Sequence, residues 1–386
     1  MATVAQTAAV PASVLAQRLA QKKIPSLDGL RAVAVILVIL NHLQVAYVPD
    51  GRGVLTFFVL SGFLITWILL NESSRYGDVS IHNFYVRRIL RIFPAFYVFW
   101  IFHFSIFLAT HHSPAISSLK DYFSAFFYVS NYRRAVSPHH HYLAHTWALS
   151  IEEQFYLLWP WLFVAFHKDL RRLSRILIAI IAVVDLYRIV LFFRFHVPDR
   201  WLDVTFDSRM DHLFVGCLLA VLLKRGALAS FWNFVSSRLW ISALTCGAII
   251  ASIALNEHYH LRYKYAVGFV VDPLLTAILL VQVIALADRW LWRWLNWRFT
   301  SYVGRVSYSM FLYHGFTNDL AVRLLHGSPK FLVVMVAIAF AIAAGSISYY
   351  AIEVRFLRLK SKFVSHARAA VRDATPQSET ALVTAS

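Results

Sequence analysis

SLDGLRAVAVILVILNH, residues Ser26 to His42, decides the fold of this chain. It reads as an apolar helix of about membrane length, with a guanidinium near one end and an imidazole at the other. Arg31 and His42 are eleven residues apart. At about 100° per residue that spacing returns to within roughly 20° of the same azimuth, and at 1.5 Å per residue it covers about 16 Å. Asp28 lies one turn before Arg31 on nearly the same face, with Val35 and Val38 between the two ends. Ionisable groups inside a bilayer are costly, so they need a partner, a cavity or a task.

Apolar runs of this length recur. The chain has 386 residues, 59% of them hydrophobic, and the runs are continuous rather than alternating. That pattern argues against a β-barrel and predicts an all-α, polytopic transmembrane helical bundle. Spans are expected at 30–48, 53–70, 89–109, 148–166, 176–193, 210–223, 239–255, 266–287, 303–325 and 331–350. The aromatic segment 119–131 is too short to cross and reads as re-entrant or interfacial. With ten crossings and a cytoplasmic N-terminus, the C-terminus is cytoplasmic too. Most Lys and Arg then fall in inside loops, as the positive-inside rule requires. The net charge of +17 therefore faces anionic lipid rather than nucleic acid. The expected location is the cytoplasmic (inner) membrane, with multiple passes. Residues 1–25 read as a loose cytoplasmic tail and not as a signal peptide, since a basic n-region is missing. Residues 26–356 form the membrane domain, and 357–386 a cytoplasmic tail. Cys217 and Cys246 are too few for a disulfide framework. His111–His112 and His139–His141 lack a Cys, Asp or Glu framework, so no metal is expected.

Chemistry-bearing residues gather in four further stretches. GVLTFFVLSGFLIT carries Ser61-Gly62 inside a span, a small pair that permits close helix approach. NFYVRRILRIFPAFY carries Arg88 and Arg91 one turn apart at the cytoplasmic edge. HTWALSIEEQFYLLWP carries His145, Trp147, Glu152 and Glu153, expected at the outer end of the fourth span. DSRMDHLFVGCLLA carries Asp207, Arg209 and Asp211.

Together these resemble the acyltransferase-3 family of integral-membrane acyltransferases. The resemblance rests on Asp28-Gly29-Leu30-Arg31 with His42 at the Arg-x10-His spacing, Phe57-Phe58-Val59-Leu60-Ser61-Gly62-Phe63, Arg88-x-x-Arg91, and His145-x-Trp147 leading into Glu152-Glu153-Gln154-Phe155-Tyr156. Arg209-Met210-Asp211 and Tyr308 to His314 add to it, and it covers about residues 26–356. It departs from the family pattern at Gly53-Val54-Leu55-Thr56, where an acidic residue is usual, before Arg209, and after Glu353, where proline is usual.

The resemblance implies transfer of an acyl group, usually acetyl, from acyl-coenzyme A to a hydroxyl of a glycan or lipid-linked sugar. Acyl-CoA is then a co-substrate and no cofactor is bound. On this reading Arg31, Arg88 and Arg91 meet the donor phosphates, for which guanidinium forks are suited. His42 acts as general base or forms an acyl-histidine, and Glu153 or Glu152 orients its ring. Asp28, Ser61, His145, Trp147, Glu152, Arg209, Asp211 and His314 serve the acceptor or support the site. By residue type alone, structural readings stand beside these. The arginines can anchor headgroups, His42 can bond a backbone carbonyl, Ser61-Gly62 can be packing, and Glu152 and Glu153 can be salt-bridge partners. Asp207, Arg209 and Asp211 can tie helices together, and Asp185 with Arg188 reads as an internal ion pair. Asp272-Pro273 marks a broken helix or a functional carboxylate. The rival function is a secondary transporter, or a membrane subunit of a glycan-export complex. A transporter's paired broken helices in two related halves are not evident in the sequence.

Overall fold

The computed structural model describes residues 14–21, 23–46, 48, 51–111, 115–137 and 142–359. Among them the chain is helical, with no strand. Ten long helices carry the architecture: α1 (Pro25–His42), α2 (Arg52–Tyr76), α3 (Ile81–Thr110), α4 (Thr146–Phe166), α5 (Leu170–Phe193), α6 (Phe206–Lys224), α7 (Leu239–Tyr263), α8 (Phe269–Ala285), α9 (Arg298–Leu324) and α10 (Lys330–Ser348). One lies on each apolar segment of the sequence.

Six stretches are long and apolar enough to cross a membrane: α1, α2, α3, α5, the segment Leu239–Ala285 that holds α7 and α8, and Lys330–Leu359 around α10. Helix α6 qualifies only together with the short helix Ala229–Val235, at a bend of 110°. Helices α4 and α9 are not among them. They carry the bundle's polar interior instead, Glu152 and Glu153 on α4 and buried Ser307, Ser309, His314, Thr317 and Asn318 on α9. The chain is a multi-pass membrane protein.

Local chemistry sets the helix ends. Pro25 occupies the first turn of α1, where its missing N–H costs nothing. His42 is the last residue of α1, and Gln44 turns the chain with φ 52. The helix therefore runs 25–42, not 30–48, and His42 stands at its mouth. Asp169 caps α5 by accepting from the amides of Arg171 and Arg172. Those amides, that of Arg172 foremost, hold the exposed Asp169 carboxyl below the usual carboxylate range. Helix α3 starts at Ile81, so Arg88 and Arg91 lie within it. The segment expected to be too short to cross is an 11-residue helix, Ile116–Phe126, followed by Ser130–Val136. The break near Asp272-Pro273 falls earlier, at His260 (φ 50, ψ −133), and a π-helical turn, Lys264–Gly268, follows it.

Part of the expected N-terminal tail belongs to the bundle. Val14–Leu19 is helical with Leu15 and Leu19 buried, and Arg18 pairs with Asp288 beyond α8. Residues 1–13 and 360–386 of the two expected tails lie outside the described residues, as do Pro49, Asp50, His112 and His139–His141.

The helix pairs in most extensive contact are α2 with α6, and α9 with α1 and α10. The α2–α6 contact needs glycine on both sides. A Cβ on Gly62 would stand 2.0 Å from the Leu213 carbonyl oxygen, and one on Gly216 would stand 2.0 Å from that of Val59. Gly62→Ala and Gly216→Ala should each destabilise the bundle by about 1–3 kcal/mol, read as a lower thermal midpoint in detergent. Gly247 on α7 has nothing within 4 Å of its Cβ position. Gly247→Ala should leave the midpoint unchanged or raise it, because alanine is the better helix former.

Candidate active site

Helix α1 is wedged between α2 and α9. A Cβ on Gly304 of α9 would fall 1.8 Å from the Asp28 carbonyl oxygen, and one on Gly53 of α2 would fall 2.5 Å from that of Ala34. These backbone contacts fix which residues of the neighbours meet each end of α1.

At its C-terminal end, His42 is exposed, and its Nδ1 lies 2.9 Å from the Val38 carbonyl oxygen. A carbonyl only accepts, so Nδ1 carries the proton and Nε2 keeps its lone pair. The carbonyl-bonded histidine of the structural reading is thus present, yet its other nitrogen remains available. The ring meets His314 of α9 edge to face at 4.6 Å between centroids, and His314 meets His145 at 4.8 Å. His145, one residue before α4, is buried, and His314 is fully so. Among the described residues no group of three His, Cys, Asp or Glu side chains is arranged to hold a metal ion.

The carboxylates are elsewhere. Ser61 Oγ donates to Glu152 Oε1 at 2.7 Å, so this serine both packs and bonds. Glu152 lies within electrostatic reach of Arg31, Arg88 and Arg91, and Glu153 within reach of Arg88 and Glu152. Arg88 covers the Tyr156 ring at 4.4 Å. Glu353 accepts from Ser309 at 2.6 Å and faces Arg91 and Arg31. The expectation that Glu153 orients His42 is therefore corrected. Glu152 and Glu153 follow His145 by two turns of α4, which carries them about 10 Å deeper, to the level of Arg31. The neighbours of His42 are imidazoles.

Two cavities open at the two ends of α1. One, of about 1440 Å³, is lined by Asp28 and Arg31 together with Lys23, Trp67, Arg75 and Lys224. Arg88 and Arg91 are not in its wall. They face Tyr156 and the glutamates, so of the three expected donor arginines Arg31 alone lines this cavity. The second cavity, of about 300 Å³, is lined by His42, Trp147, Arg209, Arg52 and Asp272 among others. Arg209 lies over the Phe269 ring at 4.3 Å and the Trp147 ring at 5.8 Å. Sequence reasoning missed Arg52, which pairs with Asp272 at 2.6 Å, while Ser252 donates to the same carboxylate oxygen at 2.5 Å. Asp272 in an apolar run was the visible signal, but its partner is 220 residues away.

Asp211 does not border this cavity. Arg188, fully buried, pairs with Asp185, donates to Asp211 at 3.0 Å and to the Ser208 carbonyl at 2.7 Å. The ion pair expected within α5 is thus one half of a clamp onto α6. Asp207 accepts from Tyr132 and Tyr187. Of the α6 cluster, only Arg209 reaches the site.

The fold and site define a helical membrane protein whose first long helix joins a basic cavity to a histidine-lined one. The chain belongs to the acyltransferase-3 family: the family model described as "Acyltransferase domain" matches residues 24–351. It is similar to peptidoglycan O-acetyltransferase OatA of Listeria monocytogenes, at 30% identity over 77% of this chain and 50% of that protein. It is also similar to YrhL of Bacillus subtilis, provisionally named a peptidoglycan O-acetyltransferase, at 31% identity over 86% of this chain and 54% of that protein. A provisionally named O-acetyltransferase of Staphylococcus aureus (strain COL) is 28% identical over 86% of this chain and 57% of its own length. The chain spans about half the length of these curated relatives. No solved structure matches it.

The Arg188 clamp sets a stability test. Arg188→Met leaves Asp185 and Asp211 without their shared cation inside the bundle. It should cost about 3–5 kcal/mol, read as a sharp loss of folded protein on gel filtration in detergent.

Proposed function

We propose that this chain is an O-acyltransferase of the cytoplasmic membrane that moves an acyl group, acetyl in the first instance, from acyl-CoA to a hydroxyl of a cell-surface glycan or lipid-linked sugar. The observation that carries the reading is one helix, α1, with Arg31 in the wall of a basic cavity and His42, its Nε2 lone pair free, in the wall of a second. Family membership and the names of the relatives support acyl transfer over transport, and the relatives' names point to a peptidoglycan-like acceptor.

The two cavities also support ten crossings with both termini inside. The basic cavity is built from the N-terminal segment and the chain after the second and sixth spans. The His42 cavity is built from the chain after the first, third, fifth and seventh. Those are the two sets of segments that ten crossings assign to opposite faces. The donor enters on the basic side. Arg31, Lys23, Arg75 and Lys224 meet its phosphates there, while Arg87 is occupied by Glu72 at 2.7 Å. At about 1440 Å³ the space exceeds the ordinary range for small ligands, as a nucleotide thioester requires. The pantetheine arm has roughly the 16 Å between Arg31 and His42 to cover.

At the far end His42 Nε2 takes the proton of the acceptor hydroxyl as its oxygen attacks the thioester carbonyl. The C–O bond forms, the C–S bond breaks, and the proton returns to the thiolate. Trp147 offers a ring face to a sugar and Arg209 a guanidinium to its hydroxyls.

The test is transfer of labelled acetyl from acetyl-CoA to a glycan acceptor by purified protein in detergent. His42→Ala should lower transfer by about 10²–10⁴-fold while the protein still inserts and stays folded. Lys224→Ala should raise KM for acetyl-CoA several-fold with kcat nearly unchanged. Transfer surviving in His42→Ala sinks the assignment.

A further inference from the structure

The glutamates expected to serve His42 are two helical turns away, and what takes their place is unusual for a membrane interior. Three imidazoles are in sequential contact, and two of them share a tautomer. His42 Nδ1 is bonded to the Val38 carbonyl and His314 Nδ1 to that of Phe311 at 2.6 Å. His42 and His314 therefore each keep a lone pair on Nε2. The Nε2 atoms of His145 and His314 are buried and unpartnered, a cost that folding alone does not explain.

No carboxylate is hydrogen-bonded to any of the three rings among the described residues. Asp272 is held by Arg52, and Asp203 by Lys264 at 2.7 Å. Arg209 lies against Phe269, and Arg134, Glu257 and His260 also border the cavity. Behind His145, Phe99 separates it from His103 of α3.

We propose that His314, with His145 behind it, is the proton partner of His42, exchanging a proton with its Nε2 while the Val38 carbonyl holds Nδ1. This rests on the acyl-transfer reading. The acceptor's O–H proton goes to His42 Nε2. From the imidazolium it passes to the lone pair on His314 Nε2, leaving His42 neutral and His314 protonated on both nitrogens. It returns through His42 to the thiolate sulfur once the thioester C–S bond has broken. Proton and charge balance with the acyl thioester and the acceptor alcohol alone. His314 touches no substrate and acts through His42.

The decisive variant is His314→Asn. Its amide can still donate to the Phe311 carbonyl, but it has no basic nitrogen. The acid limb of the wild-type pH dependence of kcat should report the His42–His314 pair, since one proton is shared between them. His314→Asn should move that limb, with kcat down about tenfold and KM for acetyl-CoA unchanged. Added imidazole should restore part of the rate to His314→Gly. An acid limb unmoved in His314→Asn, or a loss confined to folded yield, overturns the proposal.

A second measurement needs no turnover. In wild-type protein with 15N-labelled histidine, two ring resonances should shift together over one pH interval if His42 and His314 share a proton. Independent titration of every ring overturns the proposal even where His314→Asn does not fold. Coupled resonances in a wild-type protein without acyl transfer would keep the shared proton and remove the acyl-transfer reading instead.

Discussion

The approach of α9 to α1 governs the rest of the site. It is close enough that only glycine fits at position 304, with its Cα against the Asp28 carbonyl. That contact sets the register of two parallel helices. Ten residues further along α9 brings His314 beside His42 at the other end of α1. The same register lets Ser309 meet Glu353 beyond α10. A larger residue at the crossing would move both ends of α1 away from what they face, because helices are stiff over this length.

The second constraint is electrostatic. A low-dielectric bundle holds charge only in matched sets, and here the sets lie at two depths. Arg31, Arg88 and Arg91 share one level with Glu152, Glu153 and Glu353. Among the described residues the histidine level has no carboxylate hydrogen-bonded to its rings. Its neighbouring charges pair among themselves, Arg52 with Asp272 and Lys264 with Asp203. This layering puts the three imidazoles in one another's company and the glutamates in that of the arginines. The break at His260 and the π-helical turn after it bring Lys264 to the cavity wall, a common use of such irregularities.

Much of this was legible in the sequence. The length and continuity of the apolar runs gave ten helices, and the Arg31–His42 spacing gave one helix reaching from one polar region to another, because helical rise and twist are local properties of the backbone. The Ser61-Gly62 pair announced a close helix crossing for the same reason: a missing side chain permits approach whichever helix comes near. The Asp185–Arg188 pair was visible because its members are one turn apart.

What the sequence by itself did not contain was which helix faces which. Glu153 is about two turns from His145 on α4, and nothing local says which of them meets His42; the packing of α4, α9 and α1 assigned His145 to the histidines and Glu153 to the arginines. The partners of Asp272, of Glu152 and of Arg188 across to α6 were hidden for the same cause. A pair joined across the bundle leaves no periodic trace in the chain, since its geometry is set by the close packing of side chains from helices far apart in sequence. Residue types and their spacing along each helix were therefore fixed by the sequence read locally, while the contact of three imidazoles in a row was decided only by the tertiary fold.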